Sequence, residues 1–101
     1  MNAVTLDSGE NLLTSDDIDT LGGHAYFGTY TDPARVVKVR LGDGPSAPER
    51  IGALTFEAQD GGYLRCGVVD SINGCGYFAP LVSPARIVKF RLGSAAGDMS
   101  R

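Results

Sequence analysis

The chain holds a single histidine and two cysteines among its 101 residues, and none of them stands at the spacing that a zinc site within one chain needs. His24 therefore reads as a turn or strand-edge residue. There is no basic excess either: 9 Lys and Arg stand against 12 Asp and Glu, a formal charge of −3, which argues against non-specific nucleic-acid binding, since that needs a basic surface. No apolar run approaches the roughly 20 residues of a membrane span. The opening "MNAVTLDSGENLL" lacks the basic stretch and apolar run of a signal peptide. A serine nucleophile context, a P-loop and a dinucleotide-binding glycine pattern are missing as well.

What is present is repetition. "YFGTYTDPARVVKVRLG", Tyr26 to Gly42, returns as "YFAPLVSPARIVKFRLG", Tyr77 to Gly93. The offset is a constant 51, pairing Asp19 with Asp70, Gly23 with Gly74, Pro33 with Pro84 and Lys38 with Lys89, and half of the positions from Asp19 to Gly42 are identical to their partners. Self-similarity at such a period marks an array of one supersecondary unit.

Within each copy the residues read as strands. "LRCGVVD" (Leu64 to Asp70) is apolar and β-branched, "SING" is a turn, "YFAPLV" follows, and "ARIVKFRL" is a second β-branched run. In the first copy "ARVVKVRL" alternates, placing Val37, Val39 and Leu41 on one face and Val36, Lys38 and Arg40 on the other. A fourth run, "RIGALTFE" (Arg50 to Glu57), follows the loop "GDGPSAPER", whose counterpart "GSAAGDMSR" closes the sequence. At the other end "AVTLDSGEN" (Ala3 to Asn11) resembles "ALTFEAQDG" (Ala53 to Gly61) at an offset of 50.

With strands named A to D, the chain reads D-A-B-C-D-A-B-C: a first copy over about 12–57, a second over about 63–93, and a strand at 3–7 that completes a blade. On this reading Cys66 and Cys75 lie on neighbouring strands, several rungs out of register, and remain free thiols.

Four short antiparallel strands per repeat of about 50 residues with glycine-rich turns is the pattern of a β-propeller blade. "GHAYFGTYTDPARVVKVRL" and "GCGYFAPLVSPARIVKFRL" resemble the blades of YVTN/NHL/lactonase-like propellers, a resemblance covering about Leu12 to Leu92. It implies an all-β chain of two four-stranded propeller blades, a partial propeller, where such families carry six to eight blades. Two blades alone leave apolar faces and strand edges in water. The expected remedy is a head-to-tail homo-oligomer that closes a ring, most simply of three or four chains, or the remaining blades of a longer chain.

The candidate sites follow from the repeat. Asp16 and Asp17, in "SDDID" on the innermost strand, are placed where they could line a channel and bind calcium. Asp19 and Asp70 brace the A–B turns. Tyr30, Lys38, Arg40, Lys89 and Arg91 are candidate ligand contacts for an anionic glycan or an acidic protein, against a structural reading in which the basic residues are solvated ends of strand C. Three functions stay open: a non-enzymatic scaffold or protein-interaction module, a small lectin binding glycans between blades, and the calcium-assisted hydrolase that the lactonase resemblance implies.

Overall fold

The computed structural model describes residues 3–42, 47–93 and 99–100. Among these residues seven strands form two antiparallel sheets: β1 (Leu13–Asp19), β2 (His24–Thr29), β3 (Arg35–Arg40) and β4 (Glu49–Thr55) in the first, and β5 (Leu64–Asp70), β6 (Cys75–Pro80) and β7 (Val88–Arg91) in the second. Each sheet is a meander in chain order. A 3-10 turn at Ala58–Asp60 joins them, and no α-helix occurs among the described residues. The all-β, antiparallel expectation is met. Two four-stranded blades are not seen: among the described residues the second sheet has three strands, both sheets are open, and Ala3–Asp7 joins neither of them. Residues 43–46 of the loop before β4, and 94–98 and 101 of its C-terminal counterpart, lie outside the described residues.

Residues directly opposed in an antiparallel ladder share a face. Tyr26 faces Lys38, and Gly28 faces Val36, which in turn faces Leu54. These side chains point toward the second sheet. From there Phe78, opposed by Gly67 and Val88, and Phe90, opposed by Gly76, point back. The core lies between: Tyr26, Val36 and Phe56 from one side meet Leu64, Phe78, Val88 and Phe90 from the other, all essentially inaccessible to solvent. Glycine makes room for the rings. A Cβ on Gly67 or Gly76 would sit 2.5 Å from Phe78 or Phe90 respectively, inside any real contact distance.

The repeat is three-dimensional as well as textual. Asp19 Oδ1 accepts the Gly22 N–H at 3.0 Å and Asp70 Oδ1 accepts the Asn73 N–H at 3.2 Å, so both acids brace their turns. Gly23 and Gly74 close those turns at φ 74° and 70°, a region open to glycine. Leu12 and Tyr63, also 51 apart, share a left-handed φ of 53° and 59°. The Leu41 N–H donates to Gly23 O at 3.0 Å, as Leu92 N–H donates to Gly74 O at 2.9 Å.

The connection into each sheet repeats too. The Asp7 N–H donates to Glu10 Oε1 at 2.9 Å and the Glu10 N–H to Asp7 O at 3.0 Å. Fifty residues on, Glu57 N–H donates to Asp60 Oδ2 at 3.2 Å and Asp60 N–H to Glu57 O at 3.0 Å. Each acid then pairs with an arginine at the entry to the third strand of its sheet, Glu10 with Arg35, the first residue of β3, at 3.7 Å and Asp60 with Arg86, two residues before β7, at 3.0 Å. Relative to the first sheet, the N-terminal segment stands where the end of β4 stands relative to the second.

Candidate interaction faces

Because the two sheets are copies of one unit and pack the same way up, each keeps one face outside the core they share. The second sheet turns Cys66, Val68, Tyr77, Ala79 and Ile87 outward around an apolar groove of about 320 Å³. Ile87 is 74% exposed and Val68 59%. Tyr77, Ala79, Ile87 and Lys89 stand 51 residues after Tyr26, Gly28, Val36 and Lys38, the inward-facing residues of the first sheet. Lys89 Nζ lies 5.7 Å over the Tyr77 ring, and Lys38 Nζ 5.8 Å over Tyr26. What is core in one sheet is surface in the other.

The first sheet's far face carries Ala25, Phe27, Val37 and Val39. The N-terminal segment crosses it, so Val4 and Leu6 join Leu13, Phe27, Val39 and Leu41 around an open apolar groove of about 260 Å³. An ion cluster pins the segment there. The side chain of Glu10 is fully buried and takes both oxygens to Arg50, with Arg35 and the Asp7–Arg50 pair beside it. The Arg50 hydrogen bond holds the Glu10 carboxyl below the ordinary carboxylate range against the opposing effect of burial. Glu10 in turn raises the Arg50 pKa.

The candidate site residues do not converge. Asp16 and Asp17 are adjacent on β1 and therefore point to opposite faces. Asp17 is already engaged, its Oδ2 accepting the Val69 N–H at 2.8 Å across the sheets and its Oδ1 accepting the Ile18 N–H. Among the described residues no three His, Cys, Asp or Glu side chains cluster as a cation cage would. Tyr30 packs against Tyr63, ring centroids 4.9 Å apart and planes tilted by 51°. Arg40 pairs with Glu49 on the surface, while Lys89 and Arg91 are exposed on the second sheet.

Lys38 corrects the solvated reading of strand C. It is 1% exposed and donates from Nζ to Leu92 O at 2.9 Å, tying one sheet to the other. His24 is buried beside it. Desolvation, then the Lys38 and Arg40 charges, hold its pKa below the usual value, so it stays neutral near pH 7. Both cysteines are free, Cys66 opposite Ala79 and Cys75 opposite Asp70.

Sequence reasoning missed Val68, Ile87 and the Glu10–Arg50 pair. The signal for the first two was available: carried from strands to faces, the 51-residue offset puts Val68 and Ile87 on the second sheet at the positions of Asp17 and Val36, which face inward on the first. Compared with models of protein families, with curated proteins and with solved structures, the chain has no significant match.

Proposed function

We propose that the chain is a non-enzymatic, propeller-type interaction module whose work is done by sheet faces that dock against other sheets. The observation that supports this reading is the outward face of β5–β7. It carries the residue set that builds the internal sheet–sheet core when the first sheet presents it, yet here leaves Val68 and Ile87 mostly in water. Burying such apolar area is worth about 25 cal/mol per Å², so the face favours a partner of complementary apolar relief. Function in this reading is assembly, with the blade as the unit of construction.

Sedimentation of the wild type and of Ile87→Asp tests it. The wild type is expected to sediment above the 10.6 kDa of one chain, and the variant to fall to that mass with an unchanged far-ultraviolet spectrum. A variant that assembles as the wild type does overturns the assignment of this face.

A further inference from the structure

The face of each sheet that lies outside the shared core is only partly covered within one chain, and the internal interface suggests a cover for both. The groove on the far face of the first sheet is half of a core. Its lining residues Leu13, Phe27, Val39 and Leu41 stand 51 positions before Leu64, Phe78, Phe90 and Leu92, while Val4 and Leu6 stand 50 before Leu54 and Phe56. All six of those later residues belong to the internal core or pack directly on it. The core's remaining members are Tyr26, Ala34, Val36 and Val88. The first three have Tyr77, Ala85 and Ile87 as counterparts, and all three lie in the second sheet or the loop that enters β7. One end of the molecule thus lacks what the other end displays.

The strand edges match in the same way. In the first sheet β4 covers the outer edge of β3, with Val36 opposite Leu54 and Arg40 opposite Glu49. On the corresponding edge of β7 the only pairing among the described residues is the bridge between Arg91 and Ser100. That bridge repeats the Arg40–Glu49 pair at an offset of 51, so the edge is set for a fourth strand. Ala3–Asp7, which resembles the end of β4 and lies at the first sheet's far face, belongs to no sheet.

Resting on the interaction reading, we propose that this chain associates head to tail with a second copy of itself. The outward face of β5–β7 in one copy seats on the far face of β1–β4 in the next, whose Ala3–Asp7 segment pairs antiparallel with the β7 edge, Val4 opposite Ile87.

The internal interface fixes the contacts. Phe56 N–H donates to Ala34 O at 2.8 Å, so Leu6 N–H of one copy donates to Ala85 O of the other. Lys38 Nζ donates to Leu92 O, so Lys89 Nζ donates to Leu41 O. Lys89 is already held over Tyr77 as Lys38 is over Tyr26. The two surfaces differ, so the contact is heterologous and uses both ends of every copy. A single chain cannot make it alone, because its own first sheet stands between the N-terminal segment and β7.

Paired-cysteine chains test the register, built on a background in which Cys66→Ser and Cys75→Ser remove the native thiols. Mixing Val4→Cys chains with Ile87→Cys chains under mild oxidation is expected to give a covalent heterodimer as the main product. Val4→Cys mixed with Lys89→Cys, two residues out of register, is expected to give at least about tenfold less. Equal yields from both mixtures, with assembly retained in sedimentation, overturn the strand pairing and leave the interaction reading standing. A single-chain mass for the wild type, with no heterodimer in either mixture, overturns both.

Discussion

Tyr26 and Lys38 show how polar groups are accommodated between the sheets, and they predict opposite responses to truncation. Tyr26 is fully buried, its hydroxyl has no hydrogen-bond partner among the described residues, and burial, then the Asp19 charge, push its pKa up to about 12. Removing an unsatisfied buried hydroxyl takes away a desolvation cost. Tyr26→Phe is therefore expected to leave the urea midpoint equal or higher. Lys38→Ala removes a satisfied donor and strands Leu92 O, which should lower unfolding stability by about 1–3 kcal/mol with little change in the denaturant slope. Lys89→Ala, at the exposed counterpart, should leave the stability of the single chain within about 0.5 kcal/mol.

Glu10 adds a pH dependence. Its folded pKa lies below the ordinary value of 4.5, so the stabilisation from its pairing with Arg50 is complete above that pH and is lost as the pH falls through the folded value. Wild type should exceed Glu10→Gln in urea midpoint at neutral pH, and the gap should close below about pH 4.5. A gap that stays constant into acid would show that the carboxylate charge contributes nothing.

Among the elements, β6 and β7 depend on glycine beneath aromatic rings. Gly76→Ala drives a methyl into Phe90 and should cost about 1–3 kcal/mol by overpacking, read as a lowered thermal midpoint.

The same elements show what was legible beforehand. The alternation in β3 gave both faces correctly, because a two-residue period depends only on the strand itself. The burial of Lys38 was not legible, since a charged side chain reads as solvent-facing until its partner is known, and that partner is a carbonyl 54 residues away on the other sheet. The likeness of Ala3–Asp7 to the end of β4 was legible; that it forms no strand within the chain was not. Pairing depends on where an edge lies, and the β7 edge is on the far side of the first sheet. For Asp16 and Asp17, adjacency in sequence suggested one site. Their strand turns them to opposite faces.

Taken as one object, the chain is two copies of a unit stacked with the same polarity, so its ends are unlike. A stack of this kind has no internal stop at two sheets. Its lower end is partly covered by Val4 and Leu6 and its upper end is open at Val68 and Ile87. On the head-to-tail proposal these ends are halves of the contact already present inside the chain. The most direct test is the solution mass of the 101-residue chain by light scattering after size exclusion, over a series of concentrations. Masses at whole multiples of 10.6 kDa, rising with concentration or held at one closed assembly, are the expected result. A mass of one chain at every concentration, with no uptake of an apolar dye, would contradict it.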